Sequence, residues 1–129
     1  TLYSIIREAM LRENSARVVL VSSLAFQRGA PGHTAYSAAK GALVGMARSL
    51  ARKEAPKILV NAVAPGFIDT NMPKKIIAKR GIENVIGEIP MMRLGTPDET
   101  ASVIQFLLGP DSSYVNGQVI NVDGGIVCN

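Results

Sequence analysis

The chain has 129 residues, of which 47% are hydrophobic and 19% are charged, with a net charge of +4 at pH 7. This composition supports one domain, or part of one, with a packed core, and it excludes a disordered tail. A single cysteine, Cys128, and a single histidine, His33, exclude an internal disulfide and a Cys/His metal cluster.

The charged and aromatic residues also exclude classes of partner. The basic residues are scattered and only 5% of the residues are aromatic, so the chain lacks the basic, aromatic surface that binds nucleic acid. No apolar run is long enough to cross a membrane, and the N-terminus has no signal-peptide pattern. We therefore expect a cytoplasmic protein with no metal site and with neither a nucleic-acid nor a membrane partner.

The first part of the chain predicts a strand, helix, strand unit after an N-terminal helix. An amphipathic pattern predicts that helix over residues 1–14, and a β-branched run predicts a buried strand over 17–23. Good helix formers predict a helix over 36–54, and residues 57–66 predict a second buried strand that ends at a Pro-Gly turn. Two strands joined by a helix are expected to be parallel.

The second part begins with a long irregular segment. Residues 67–95 contain short helical stretches and several helix breakers, which is typical of a lid or a binding loop. A helix is predicted to follow, because Thr96 is a good N-cap, Pro97 suits the first turn, and two acidic residues then complement the helix dipole. Residues 117–125 predict a final short strand and a glycine turn.

Two polar residues, Tyr36 and Lys40, stand at the start of the predicted central helix. A spacing of four residues puts both side chains on one helix face, where their polar ends can approach a common point. The pair alone is weak evidence, because Tyr-x-x-x-Lys arises often by chance. Its setting carries more weight: a Ser-Ser pair ends the strand before the helix, and a Pro-Gly turn ends the strand after it.

Four motifs occur in order along the chain: VLVSS at 19–23, YSAAK at 36–40, NAVAPGFIDT at 61–70 and GQVINVDGG at 117–125. With them the chain resembles the C-terminal half of a classical short-chain dehydrogenase/reductase, and most of all the 3-oxoacyl-[acyl-carrier-protein] reductases. The resemblance implies an α/β fold, the C-terminal half of a Rossmann-like, doubly wound parallel sheet.

The same resemblance predicts what this sequence lacks. Family members begin with a strand, a Gly-rich turn and a helix, which together bind the cofactor, and none of these occurs here. We therefore expect the N-terminal cofactor-binding half to be missing and residues 1–129 to form a single incomplete domain. Relatives also place a proton-relay asparagine in the helix before the serine strand, and Asn14 lies too near the strand to replace it.

The resemblance implies a catalytic role for three residues. Tyr36 is expected to give its phenolic proton to a carbonyl oxygen as hydride arrives from a nicotinamide cofactor. A phenol ordinarily holds its proton too tightly at neutral pH, and the Lys40 ammonium one turn away favours the phenolate. Ser23, thirteen residues before the tyrosine, is expected to steady the substrate carbonyl. Ser22 is the alternative, since successive strand residues point to opposite faces.

Further residues are expected, from the resemblance, to bind the cofactor together with Tyr36 and Lys40. Lys40 is expected to hydrogen-bond the ribose, and Pro65 and Gly66 are expected to shape the turn beside the nicotinamide. Ile68 is expected to offer backbone contacts to the carboxamide of the nicotinamide, and Thr70 is expected to offer a hydroxyl to the cofactor. The cofactor is expected to be NADP or NAD, and only the family resemblance favours NADPH.

The substrate and the assembly state are also expectations. The resemblance implies a small-molecule carbonyl substrate or an acyl thioester on a carrier protein. Lys53 and Lys57 form a weak basic patch that could dock such a carrier. Apolar residues of the 67–95 segment either line a substrate pocket or cover the core: Met72, Ile76, Ile77, Ile86, Met91 and Met92. The full-length protein is expected to form a homo-oligomer, a dimer or tetramer, through the smooth outer face of the central helix.

Three functional hypotheses remain open from the sequence. The first is a fragment of an NAD(P)-dependent reductase or dehydrogenase that acts on a carbonyl or secondary alcohol, carries the catalytic residues and is inactive alone. The second is a non-catalytic oligomerisation or binding module derived from such an enzyme. The third is a related lyase or epimerase that uses the same tyrosine and lysine for other proton chemistry.

Overall fold

The computed structural model describes residues 3, 4, 8 and 15–128. In this part of the chain a parallel sheet contains strands β1 (Ala16–Val21), β2 (Ile58–Pro65) and β3 (Val119–Val122), in that order across the sheet. The α/β class and the parallel pairing predicted from the sequence are confirmed. Most of the predicted N-terminal helix over 1–14 lies outside the described residues.

The helices connect and cover these strands. Their bounds are α1 (Ala25–Arg28), α2 (Thr34–Glu54), α3 (Lys74–Arg80), α4 (Ile82–Ile86) and α5 (Pro97–Leu108), followed by a 3₁₀ turn (Pro110–Ser112). The four-residue α1 lies in a segment that the sequence predicts as a loop, since so short a helix has no apolar periodicity to identify it. The predicted strands are each longer than the observed ones by one to five residues, which is the usual error at element ends.

The core lies between α2 and the sheet. Val44, Ala47, Leu50 and Ala51 form the buried face of α2, and the core cluster joins the last three of these to residues of β1 and β2. Alanine in this face lets the helix axis approach the sheet closely. β2 is buried along most of its length on both faces, since α2 and α5 both contact it. A strand with this environment has the continuous apolar sequence that predicted it.

β1 forms one edge of the sheet, so its outer edge pairs with no strand among the described residues. Val21, at its carboxyl end, is 45% exposed. An apolar side chain at an unpaired strand edge favours association with another strand.

Thr96 is the N-cap of α5, as the sequence predicts, and the structure adds a capping box with Glu99. The Thr96 hydroxyl accepts from the Glu99 amide at 3.2 Å, and Glu99 Oε2 accepts from the Thr96 amide at 2.8 Å. Arg93 adds a two-pronged ion pair to the same carboxylate, with nitrogen to oxygen distances of 2.5 and 2.9 Å. These contacts fix the start of α5 relative to the turn before it.

Glu99 is therefore expected to contribute to the acid sensitivity of the protein. The hydrogen bond from Arg93, followed by that from the Thr96 backbone, lowers the pKa of Glu99 from 4.5 to about 2. A lowered pKa in the folded state means that this stabilisation is complete above pH 4.5 and is lost as the pH falls through about 2.

The test is the stability of the full-length protein across that acid range, measured by denaturant unfolding. Glu99→Gln is expected to flatten the decline of stability below pH 4.5, and Arg93→Gln is expected to flatten it in part, because the Thr96 amide still bonds the Glu99 carboxylate. Parallel declines in wild type and both variants would show that this carboxylate does not carry the acid response.

None of the helices in the described part of the chain combines the length and the apolar composition that a membrane-spanning helix requires.

Candidate active site

The carboxyl ends of β1 and β2 bring two of the predicted motifs to one edge of the sheet. Val21 pairs with Val63 in the register of the two strands. Beyond that pair, the Ser22 amide donates to the Val63 carbonyl at 2.8 Å, and the Leu24 amide donates to the Pro65 carbonyl at 2.9 Å. The serine pair and the Pro-Gly turn therefore lie side by side, in the region where open α/β sheets bind ligands.

The start of α2 adds Tyr36 and Lys40 to the same edge. The Lys40 Nζ atom donates to the Val21 carbonyl at 2.9 Å and lies 5.7 Å from the centre of the Tyr36 ring. That distance is within the range of a cation–π contact. The Tyr36 side chain remains open to solvent, with 36% of the residue exposed. Lys40 thus connects the end of β1 with the phenol ring, so the structure brings together the pair that the sequence predicts.

The two serines have different environments. Ser22 is buried, and its hydroxyl donates to the Lys40 carbonyl at 2.8 Å, which anchors α2 to the end of β1. Ser23 is half-buried, and its hydroxyl oxygen accepts from the Ala25 amide at 3.2 Å. A hydroxyl that accepts at its oxygen can still donate its proton to another group. This difference favours Ser23 as the serine available to a substrate, as the sequence count predicts.

Gly66 lies against the turn that follows β3. Its amide donates to the Val122 carbonyl at 3.0 Å, and a Cβ atom built at this position would be 2.8 Å from the Asp123 Cα and Cβ atoms. Asp123 is fixed in turn, because its carboxylate accepts from the amides of Gly125 and Val127 at 3.0 and 2.9 Å. The Pro-Gly turn therefore needs glycine for a close backbone approach.

Gly66→Ala is expected to destabilise the protein. The added methyl group meets the backbone of Asp123, which cannot rotate away, so we expect a cost of about 2 kcal/mol from overpacking. The measurement is urea unfolding of the full-length protein. Unchanged stability would contradict the role given to this close approach.

Ile68 and Thr70 continue the chain beyond that turn. Ile68 forms an isolated parallel bridge with Gly95, in which the Asp69 amide donates to the Gly95 carbonyl and the Gly95 amide donates to the Phe67 carbonyl. The amide of Ile68 itself has no acceptor in the described part of the chain. The Thr70 hydroxyl is exposed, and its contacts among the described residues are two long ones of 3.4 Å, with the Ile68 carbonyl and the Met72 amide.

A pocket of about 450 Å³ lies next to these residues, between the bridge and the turn after β3. Its walls come from three segments: Phe67, Ile68, Met91, Arg93, Gly95, Glu99 and residues 121–125. Three methionines of the 67–95 segment are strongly exposed, with Met72, Met91 and Met92 at 76%, 59% and 65%. The sequence left open whether the apolar residues of this segment line a pocket or cover the core. These three methionines do not cover the core, whereas Ile76, Ile77 and Ile86 are half-buried.

The nicotinamide end of a dinucleotide fits the donors at this edge. The Lys40 ammonium has three N–H groups, and its single acceptor among the described residues is the Val21 carbonyl, which leaves donors for the hydroxyls of a ribose. The unpaired Ile68 amide is a donor suited to a carboxamide oxygen. No Gly-rich strand-to-helix turn occurs in the described residues, so this fit concerns only the nicotinamide and its ribose.

Comparison with known proteins identifies the family. The family model described as enoyl-(acyl carrier protein) reductase matches residues 2–127. A 3-oxoacyl-[acyl-carrier-protein] reductase of Thermotoga maritima is 44% identical over 119 residues, which cover 92% of this chain and 48% of that protein. The chain belongs to the short-chain dehydrogenase/reductase family.

Two solved structures agree with this assignment. A short-chain dehydrogenase/reductase (glucose/ribitol dehydrogenase) from Brucella melitensis has a TM-score of 0.86 at 43% identity and is matched over 91% of this chain and 47% of that one. A candidate 2-deoxy-d-gluconate 3-dehydrogenase from Agrobacterium tumefaciens with bound NADP has a TM-score of 0.88 at 33% identity, over 98% of this chain and 52% of that one. The fold is thus part of a Rossmann-like sheet, and the chain spans about half the length of the curated relatives it matches.

Sequence reasoning missed the polar groups that hold these short-chain dehydrogenase/reductase motifs in place. Asp123 entered the sequence analysis only as a letter of the GQVINVDGG motif, yet it supports both the glycine turn and the wall against Gly66. The Ser22 bond to the Lys40 carbonyl was also missed. The Ser22 bond and the approach of Gly66 to Asp123 join residues that are distant in sequence, so no local spacing could have indicated them. The Asp123 bonds to Gly125 and Val127 are local, and an aspartate two residues before a glycine is the signal that could have predicted them.

Proposed function

We propose that this chain is the catalytic C-terminal half of an NAD(P)-dependent reductase of the 3-oxoacyl type, and that it is inactive without its cofactor-binding half. The observation that carries the proposal is the position of the Lys40 ammonium between the Val21 carbonyl and the Tyr36 ring at the carboxyl edge of the sheet. A binding module would need neither the exposed phenol nor the adjacent cation. Membership of an oxidoreductase family supports the same reaction class.

In the proposed reaction, the phenol of Tyr36 donates a proton to the carbonyl oxygen of the substrate, and a secondary alcohol is formed. The Lys40 cation stabilises the phenolate that remains, because opposite charges within a few ångströms attract strongly at a partly desolvated site. The Ser23 hydroxyl donates to the same carbonyl oxygen and orients it. When bound, NADPH or NADH supplies the hydride that this reduction requires.

The proposed cofactor contacts follow from the same edge of the sheet. Lys40 holds the ribose, Pro65 and Gly66 shape the surface beside the nicotinamide, the Ile68 amide meets the carboxamide, and Thr70 offers its hydroxyl. We favour NADPH over NADH because the Agrobacterium relative was solved with NADP. The proposed substrate is a 3-oxoacyl thioester, since 3-oxoacyl-[acyl-carrier-protein] reductases are among the similar proteins. Lys53 and Lys57 remain a proposed docking patch for an acidic carrier protein.

The test is oxidation of NADPH by the full-length protein that contains this chain. We expect an absorbance decrease at the nicotinamide band with a 3-oxoacyl thioester, presented on a carrier protein and on a small thiol, and no turnover with residues 1–129 alone. NADH in place of NADPH measures the cofactor preference. A full-length protein that binds neither nucleotide but still self-associates would support the binding-module hypothesis instead.

We also propose that the full-length protein is a homo-oligomer that pairs through α2. The outer face of that helix is formed by small residues, of which Ala38, Ala42 and Gly45 are exposed and Gly41 is half-buried. Small residues allow a second helix to pack at close range. Ala42→Glu is expected to lower the mass of the oligomer in light scattering without changing the circular dichroism spectrum. An unchanged mass would exclude this face as the contact.

A further inference from the structure

An ion cluster joins two segments that are far apart in sequence, the connection between Ser23 and Tyr36 and the 67–95 segment. Both terminal nitrogens of Arg28 donate to Glu88 Oε2 at 3.1 Å, and Arg80 pairs with Glu88 Oε1. Arg28 is the last residue of α1, in the segment that connects Ser23 with Tyr36, whereas Arg80 ends α3 and Glu88 follows α4. Glu88 therefore links both helices of the 67–95 segment to the connection between the proposed catalytic residues.

Few other contacts fix those two helices. α3 and α4 pack against each other, and neither has an extensive contact with another helix or strand in the described part of the chain. Pro73, before α3, and Ile89, after α4, are buried anchors at the two ends. Between them only Val85 is buried. A segment with so few apolar contacts has a low free energy of local unfolding. An ion pair that connects it to the rest of the protein therefore has a large influence on its position.

The geometry of the cluster suits a positioning role better than a stabilising one. The side chains of Arg28, Arg80 and Glu88 are 40%, 38% and 31% exposed, and ion pairs with this exposure contribute little to the free energy of unfolding. Each carboxylate oxygen is engaged by a guanidinium from a different helix, which restricts direction as well as distance. The hydrogen bond from Arg80, and then that from Arg28, lowers the pKa of Glu88, so the carboxylate is ionised at neutral pH.

We propose that Glu88 is a positioning residue that latches the 67–95 segment onto the connection between Ser23 and Tyr36, and that it thereby sets the affinity for the carbonyl substrate. The inference rests on the proposed reductase function. With the latch closed, α3 and α4 stay beside the catalytic segment. With it open, the segment moves away, and substrate is held less firmly.

The experiment compares wild type with Glu88→Gln in the full-length protein, by steady-state kinetics and by amide hydrogen exchange. Gln keeps the shape of the side chain and removes the charge, so we expect KM for the 3-oxoacyl thioester to rise about fivefold with kcat nearly unchanged. Amides of residues 74–88 are expected to exchange about fivefold faster. The melting temperature should change little, which separates positioning from a structural defect. Arg28→Gln should raise KM and the amide exchange rate by similar factors, and in the double variant neither quantity should be higher than in the single variants.

Glu83→Gln is the matched control, because Glu83 lies in α4, is exposed, and forms no ion pair with a described residue. It should behave as wild type in both measurements. Salt gives an independent check: added salt should raise KM of wild type towards that of Glu88→Gln and leave the variant unaffected. Identical exchange and KM in the Glu83 and Glu88 variants would overturn the latch. A wild-type protein without reductase activity would refute the proposed function, while the exchange data would still decide whether the latch exists.

Discussion

Tyr36→Phe in the full-length protein is expected to lower kcat for reduction of a 3-oxoacyl thioester by about 10²- to 10⁴-fold, which is the usual contribution of a positioned general acid. The substitution removes one oxygen from a side chain that is 36% exposed, so the fold should be unchanged. Lys40 keeps its bond to the Val21 carbonyl, so NADPH affinity is expected to change little. The measurement is NADPH oxidation at saturating substrate, with nucleotide affinity determined separately.

Tyr114→Phe is the matched control for this prediction. Tyr114 is fully exposed in the turn after α5, and its relative accessibility is 103%. The same chemical change there should leave kcat and nucleotide affinity at the wild-type values. A Tyr36 variant that retains wild-type turnover would remove the phenol from the mechanism, whatever its effect on binding.

The second large effect is expected on stability, from Asn61→Ala. Asn61 is 1% exposed in the central strand β2, where its amide nitrogen donates to the Val115 carbonyl at 2.9 Å and its oxygen accepts from the Gln118 amide at 3.0 Å. These bonds connect β2 to the segment that leads into β3. Alanine removes both bonds and leaves the half-buried Val115 carbonyl and the exposed Gln118 amide without this partner, which costs about 2 kcal/mol in total.

Asn71→Ala provides the comparison. Asn71 is exposed, and the one hydrogen bond of its side chain within the described part of the protein comes from the Lys74 ammonium at 2.7 Å. Its loss should therefore change the free energy of unfolding by less than about 0.5 kcal/mol. Both variants are to be unfolded in urea in the full-length protein. Equal midpoints for Asn61→Ala and Asn71→Ala would show that the buried amide does not connect these strands.

Asn61 also illustrates where sequence reasoning succeeds and where it stops. The apolar run on either side of it predicted β2, because a strand covered on both faces is apolar along its whole length. The asparagine within that run carried no local signal. Its partners, Val115 and Gln118, are more than fifty residues away along the chain. Only the folded sheet brings them within hydrogen-bonding distance.

The candidate site divides in the same way. The tyrosine and lysine could be predicted because helical periodicity alone puts residues four apart on one face. Their relation to the Pro-Gly turn could be expected because the carboxyl ends of parallel strands lie at one edge. The ion cluster of Arg28, Arg80 and Glu88 had no counterpart in the sequence analysis, since charged residues in irregular segments have no periodicity to predict their partners.

The sequence by itself determined the elements and the family. Its apolar periodicity defined the strands and the long helix, its capping residues defined the start of α5, and its ordered motifs identified a short-chain dehydrogenase/reductase. Tertiary structure alone decided which serine is buried, why Gly66 cannot carry a side chain, and which carboxylate joins α1 to the 67–95 segment. The physical reason is range: periodicity and capping act within a few residues, whereas burial, close backbone approach and ion pairing depend on groups that only folding brings together.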